Sequence, residues 1–240
     1  MTIRTTSIFP LILAVLTVAL GCGNGSPAGS PWVGHTYLVT PADPYTYLTK
    51  PSSSTIAKTL ANFIPNFLLQ VNGVSGSQFA ITIAPAKKQT NPPEQDLCNV
   101  SVDVDATMSS YQKIQIGPTD LPIYITNSPE DKPPVTAKTT VRELSLSDVL
   151  PNGSTVSETG KFSALVDARE VNTLITIQEG LSGEQVCNLM KDSFATDCVP
   201  CPDSQILCLQ FEAEALGATE TETNVKSMTE SDLDSSCPKP

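Results

Sequence analysis

The sequence contains few of the residues on which catalytic and nucleic-acid-binding sites depend. Its 240 residues include one histidine, one tryptophan, and 14 lysines and arginines against 25 aspartates and glutamates. The formal net charge of −11 argues against nucleic acid as a partner, because such surfaces need clustered basic side chains. His35 is the one imidazole available as a general base, and we interpret it as a structural or surface residue.

Sequence signatures of cofactor and hydrolase sites are also missing. The sequence has no P-loop, no Rossmann fingerprint, no haem attachment motif and no G-x-S-x-G elbow. Asp103 and Asp105 match two ligand positions of an EF-hand loop, but Met108 and Ile114 occupy the sixth and twelfth positions, where calcium binding needs Gly and Glu. We therefore predict a protein that is not an enzyme and that binds no metal and no cofactor.

Two pairs of carboxylates have simple structural interpretations. Asp167 and Glu170 fit a variant capping box at the start of a helix. Glu212 and Glu214 alternate outward along a predicted strand. Neither spacing indicates the facing carboxylates that glycoside hydrolysis requires.

One long apolar run is present, and it lies at the N-terminus. The weakly basic "MTIR" and the run "IFPLILAVLTVALGC" form the pattern of a secretory signal peptide. The run of about 14 residues is too short for a transmembrane helix, which needs about 20. No other stretch of the sequence approaches that length. We expect an exported protein whose mature part has no transmembrane helix.

The end of this run, Ala19-Leu20-Gly21-Cys22, resembles the lipobox of bacterial lipoproteins. The resemblance implies cleavage after residue 21 and acylation of Cys22, so that acyl chains such as palmitate anchor the protein in the lipid bilayer. Gly23 in the next position implies the outer membrane. Ordinary signal-peptidase cleavage is the alternative, since Ala19 and Gly21 also fit its small-residue rule. Cysteine parity favours lipidation, because it leaves an even number of the seven cysteines to pair.

The other six cysteines are disulfide candidates: Cys98, Cys187, Cys198, Cys201, Cys208 and Cys237. The C-x-x-C of Cys198 and Cys201 also permits a zinc or a redox site. Zinc needs four ligands, however, and a redox pair needs a helix directly after it, where Pro200 and Pro202 stand. Six cysteines allow 15 pairings. We favour Cys201–Cys208, Cys187–Cys198 and Cys98–Cys237.

Alternation of apolar residues predicts a mainly β protein. About eight strands, joined by turn signals such as "NGVSG" and "GPTD", indicate an antiparallel meander that closes into a barrel or folds as a sandwich. Short helices are predicted at residues 54–64, from Asp167 to about Ile177, and at Ser182–Lys191, where Ser182 caps the helix and Gln185 stands at the third helical position. A barrel interior would be lined by Val100, Val102, Val104, Ile114, Ile116, Ile123 and Ile125.

These elements divide the chain into a signal peptide (residues 1–21), a lipidated cysteine with a flexible tether (22–31), one β-rich domain (32–218) and an acidic, largely disordered tail (219–240). The pattern "VCNLM…DCVPCPD…CLQFEA", preceded by "FSALVDARE", resembles uncharacterised lipoproteins of the myxobacterial type. The resemblance implies an envelope location and names no catalytic residue. We expect a lipoprotein of the cell envelope with a non-catalytic structural or interaction role. The alternative is a β-barrel carrier of an apolar small molecule.

Overall fold

The structure, a computed structural model, describes residues 31–41, 48–50, 65–87, 90–108, 114–127, 135–149, 157–171, 181–233, 235 and 237. The predicted signal peptide, Cys22 and its tether, and the predicted helix at residues 54–64 lie outside these ranges. Within them, no helix is long and apolar enough to cross a membrane.

The described chain is mostly β-strand with two short α-helices, as the sequence predicts. The strands are β1 (Thr36–Pro41), β2 (Leu48–Lys50), β3 (Asn66–Ser75), β4 (Gln78–Ala86), β5 (Val102–Met108), β6 (Ile114–Asn127), β7 (Val135–Ser147), β8 (Ser157–Asp167), β9 (Val199–Pro200) and β10 (Ile206–Thr221). The helices are α1 (Ala168–Val171) and α2 (Gly183–Phe194), and Glu230–Asp232 forms a 3-10 turn.

Eight of these strands close an antiparallel barrel. The order runs from β1 through β3, β4, β5, β6, β7 and β8 to β10, and β10 pairs again with β1. The short strands β2 and β9 are additions along β10. Of the two architectures that the sequence leaves open, the barrel is therefore the one adopted, and it removes the exposed edges that a sandwich would retain.

Alternating side chains fill the inside of the barrel. Opposite residues of neighbouring strands, such as Tyr37 and Leu69, or Ile116 and Leu146, lie on the same face and are buried together. Phe67 on β3 and Phe162 on β8 stack with their ring centroids 6.1 Å apart. Because these two strands are not neighbours in the sheet, their rings meet across the barrel interior.

Two of the predicted turns are irregularities within strands. The Asn72-Gly73 pair lies at a register shift inside β3, and the hairpin turns at Gly76 and Ser77 instead. The stretch "GPTD" was expected to separate two strands, but β6 runs through it. Gly117 there has φ 80°, and the register shifts on both sides of Thr119. Each is a bulge, which kinks a strand without reversing the chain.

Residues beyond 218 depart from the expected disordered tail. β10 continues to Thr221, and residues 222–233, named here the C-terminal strap, are bonded to the barrel surface. The Lys226 main chain bonds to Gln95, and the Met228 main chain bonds to Ser101. Low apolar content predicted disorder, but these hydrogen bonds and the Cys98–Cys237 bridge hold the strap without a hydrophobic core of its own.

Candidate functional site

Three disulfides connect the helical region and the C-terminus to the barrel. Cys98 is bonded to Cys237, Cys187 to Cys198, and Cys201 to Cys208. These are the pairings that the sequence analysis favours. Since disulfides form and persist in oxidising compartments, the three bridges indicate an extracytoplasmic location.

The C-x-x-C motif is divided between two of these bridges. Cys198 fastens α2, and Cys201 closes the loop that leads into β10. The carboxylate of Asp167 and the sulfurs of Cys201 and Cys208 lie within 4.8 Å of one another. Both sulfurs are bonded to each other and the carboxylate binds Arg169, so these three groups do not fit a metal while the bridge is closed.

The buried Asp167 caps α1 and also forms an ion pair with Arg169. Its Oδ1 accepts from the Arg169 backbone N at 2.9 Å and from the side-chain Nε at 2.8 Å. Burial favours a higher pKa for Asp167, but the hydrogen bonds and the charge of Arg169 outweigh it and lower the pKa below its ordinary value. Arg169 also binds Asp203, at 2.7 Å, which joins α1 to the Cys201–Cys208 loop.

Glu170 does not return to the helix cap, as a capping box would require. Its carboxylate accepts from the Thr139 hydroxyl at 3.0 Å and from the Thr140 backbone N at 2.7 Å, and it forms an ion pair with Arg142. These partners all lie on β7, so Glu170 fastens α1 to the barrel wall. By contrast, the predicted cap of α2 is confirmed, with Ser182 and Gln185 forming a capping box.

The side chains proposed to line a ligand cavity are part of the core. Ile114, Ile116 and Ile123 belong to one buried cluster, and Val102, Val104 and Ile125 pack against it. Val100 is buried outside that cluster. A barrel of eight strands has an interior just wide enough to be filled by side chains or to hold one small ligand. The Phe67–Phe162 contact across the interior indicates filling in the described part of the barrel.

Two aromatic residues near the start of the domain, Trp32 and Tyr37, also pack in or against the core. Trp32 packs edge-to-face on Phe79, with the ring centroids 5.5 Å apart. Tyr37 is 3% exposed. Its burial, together with the negative charge of Glu220, raises the pKa of Tyr37 to about 12. These two rings therefore pack against the sheet.

The remaining titratable candidates lie on the surface. His35 Nδ1 is 2.5 Å from the carboxylate of Glu220, and both side chains are about half exposed. Asp103 and Asp105 are exposed on β5, and Asp103 accepts from the Thr82 hydroxyl. Asn99, part of an Asn-x-Ser sequence, is buried and donates its amide to Asp96 at 2.8 Å, so it is not accessible for glycosylation in the folded protein.

A shallow groove of about 290 Å³ runs along the outer face of β7, β8 and β10. It was not predicted from the sequence, because its lining residues come from strands that are far apart along the chain and meet only in the folded barrel. Its polar lining consists mainly of Ser145, Ser147, Lys161, Ser163, Glu212 and Glu214. Lys161 pairs with Glu214 and Lys50 with Glu212. The charges are therefore balanced, and the serine hydroxyls between them can hydrogen-bond a polar ligand.

The opposite side of the barrel is covered by the C-terminal strap. Leu68 and Ala84 pair on the outer face of β3 and β4, yet both are fully buried. The cover comes from residues 90–101 and from the strap. Ala86 bridges to Gln95, and the Val225 N–H donates to Gln70 at 2.7 Å. Cys237 was the one feature of the sequence that indicated attachment of the C-terminal segment to the rest of the domain.

Comparisons with models of known families, with curated proteins and with solved structures found no match for this chain. The resemblance to bacterial lipoproteins therefore stays a prediction.

Proposed function

We propose that the protein is an exported interaction domain without catalytic activity, anchored to the envelope membrane by acyl chains on Cys22. One observation carries the proposal. Six of the seven cysteines pair with one another in three bridges, and the seventh is Cys22, at the end of the apolar N-terminal run. Lipidation gives this seventh cysteine a role that disulfide pairing within the domain does not supply.

The physical chemistry of the anchor agrees with the charge of the domain. Each buried CH₂ of an acyl chain contributes about 0.8 kcal/mol, so two or more chains hold a protein firmly at a bilayer. The net charge of −11 keeps the domain away from anionic headgroups. The acyl chains would hold the protein at the membrane while its surface stays in water, available to a partner. Gly23 favours the outer membrane for this anchor.

Detergent partitioning of the full chain tests the anchor. We expect the protein to enter the detergent phase, and the mass of its N-terminal peptide to include the acyl groups. Cys22→Ser should move the protein to the aqueous phase. Cys98→Ser is a matched control, because it also removes one cysteine but leaves the anchor. An unmodified Cys22 in protein from its own host would refute the proposal.

An interaction role is supported by the way the barrel is filled. Phe67 and Phe162 stack across the interior, and the inward side chains form one buried cluster. A ligand inside would have to displace these side chains, which costs free energy that an outer surface does not require. Binding is therefore expected on the outside, where the groove along β7, β8 and β10 presents hydroxyl and charged groups.

A carrier of an apolar small molecule is the second candidate, because a closed eight-stranded barrel is an architecture that can hold one such ligand. Titration with a fluorescent fatty acid analogue separates the two functions. Saturable binding of one molecule per chain, weakened by Phe67→Trp, would favour the carrier. We expect no saturable binding, because the interior is occupied.

A further inference from the structure

The C-terminal strap is held by groups that recognise its main chain. The Gln95 amide forms a pair of hydrogen bonds with one residue: Oε1 accepts from the Lys226 N–H at 2.7 Å, and Nε2 donates to the Lys226 carbonyl at 2.9 Å. Gln95 is 6% exposed, so its orientation is fixed by the surrounding structure. A buried glutamine placed in this way recognises the main chain of an extended peptide.

Two further residues extend the same main-chain recognition along the strap. Ser101 exchanges two hydrogen bonds with Met228, since its N–H donates to the Met228 carbonyl at 3.0 Å and its Oγ accepts from the Met228 N–H at 2.8 Å. Gln70 accepts from the Val225 N–H at 2.7 Å. Gln70, Gln95 and Ser101 therefore define a peptide-binding surface, here named the strap groove.

The strap contributes little core packing of its own. Glu222, Asn224, Lys226 and Ser227 are exposed, and Val225 and Met228 are partly buried. Segments with few buried apolar contacts open at lower free energy than core strands. Covalently, the strap is joined to the barrel where β10 ends and again through Cys98–Cys237. Before that bridge closes, the strap can therefore leave the barrel while the core stays folded.

We propose that the strap groove of one copy binds the C-terminal strap of a second copy of this chain. The partner strap makes the same hydrogen bonds as the chain's own strap, so no new interface is needed, and exchange of an identical element is a low-cost route to a dimer. The proposal names a partner for the interaction domain proposed above. It does not depend on acylation of Cys22, because the groove lies in the barrel domain.

The Cys98–Cys237 bridge then shows which copy supplied the strap, because it forms either within one chain or between two chains. When the thiols of Cys98 and Cys237 join, they form one S–S bond and release two protons and two electrons. A disulfide donor such as oxidised glutathione accepts these and becomes two thiols. If the strap has docked in its own groove, the bridge is internal. If it has docked in the groove of a second copy, the bridge links the two chains.

A pair of complementary variants tests the exchange in full chains that also carry Cys22→Ser. A chain with Cys98→Ser retains the thiol of Cys237 on its strap, and a chain with Cys237→Ser retains the thiol of Cys98 beside its groove. Neither can close the bridge internally. We expect the mixture to form a disulfide-linked heterodimer with oxidised glutathione, visible on a non-reducing gel. Each variant alone should form less covalent dimer.

Groove variants distinguish docking from random collision of thiols. Gln95→Ala in the chain that supplies the groove removes two hydrogen bonds to the strap, so the heterodimer should form about tenfold more slowly. Gln115→Ala is the matched control, because Gln115 is exposed and bonds to Ser145 on another part of the barrel. Absence of the heterodimer, or equal rates with Gln95→Ala and Gln115→Ala, would overturn the proposal.

If a variant fails to fold, strap exchange can be measured in chains that retain all six disulfide cysteines. Light and heavy isotope-labelled chains are refolded together, and their bridges are mapped by mass spectrometry. Exchange predicts Cys98–Cys237 bridges that join light to heavy peptides, while the Cys201–Cys208 bridges stay within one label. Strap exchange would be contradicted if no Cys98–Cys237 bridge joined light to heavy peptides. It would also be contradicted if such mixed bridges were equally frequent at Cys98–Cys237 and at Cys201–Cys208.

Discussion

The Cys98–Cys237 bridge should contribute more to stability than either of the other two disulfides. It joins residues 139 positions apart, whereas Cys187–Cys198 and Cys201–Cys208 span 11 and 7 positions. A disulfide stabilises a protein mainly by restricting the unfolded chain, and the restriction grows with the length of the closed loop. Replacing both cysteines of one bridge with serine is the perturbation that isolates this effect.

The chain-entropy relation gives the magnitudes. At 25 °C it predicts a loss of about 5 kcal/mol of unfolding free energy for the long bridge, about 2.8 kcal/mol for the 11-residue separation and about 2.4 kcal/mol for the 7-residue separation. The long bridge also restrains most of the barrel in the unfolded state. Its removal should therefore increase the surface exposed on unfolding and raise the denaturant m value.

Guanidinium unfolding without thiol reagents measures both quantities. The variant Cys98→Ser/Cys237→Ser is compared with Cys201→Ser/Cys208→Ser, and we expect the first to lose about twice as much unfolding free energy. Equal losses of unfolding free energy, with an unchanged m value for the long bridge, would contradict this expectation. Such a result would mean that local contacts of the bridges, rather than restriction of the unfolded chain, set their contributions.

Three further predictions concern single residues. Asp167→Asn should lower the unfolding free energy by about 1.5–3 kcal/mol at neutral pH, and the exposed Asp203→Asn should lower it less, both measured in urea titrations. The pKa of Asp167 is lowered in the folded state, so the stabilisation by its carboxylate is complete above the unfolded pKa of about 3.9 and is lost as the pH falls below that value. Between about pH 5 and about pH 2 the variant should therefore lose less unfolding free energy than the native protein. Gly117→Ala should be more destabilising than Gly76→Ala in thermal unfolding. Both glycines have positive φ, but an added Cβ would clash with the Leu144 carbonyl oxygen at Gly117 and would meet open space at Gly76; equal losses would mean that the positive φ alone sets the cost. Ser182→Ala should cost about 1 kcal/mol by removing the α2 cap, and a loss no larger than that of the exposed helix residue Ser193→Ala would contradict a role for the capping box.

Local patterns in the sequence predicted much of the fold. Alternation of apolar residues located the barrel strands, since one face of each is buried and the other is not. Parity of the cysteines, together with their spacing, indicated the three bridges. The α2 helix was found from Ser182 and Gln185, whose reciprocal bonds depend on residues three positions apart. Each of these features is decided by near neighbours or by a covalent constraint.

Features that depend on residues far apart were not predicted. The contact of Glu170 with β7 and the docking of Lys226 on Gln95 join positions separated by 30 and 131 residues. Composition predicted disorder for the strap because it has few apolar residues to bury. Its order comes instead from main-chain hydrogen bonds to Gln95 and Ser101, groups whose position is set only after the barrel has closed.

The covered and open surfaces of the barrel limit the places at which a partner can bind. In the described structure the barrel interior is filled by its own side chains, and the outer face of β3 and β4 is covered by residues 90–101 and the strap. The outer face of β7, β8 and β10 carries the groove instead, with Lys161 and Glu214 in an exposed ion pair. Strap exchange would leave this groove unchanged in both copies. A dimer formed in that way would present two such grooves, which would strengthen binding to a partner with repeated sites through effective concentration alone.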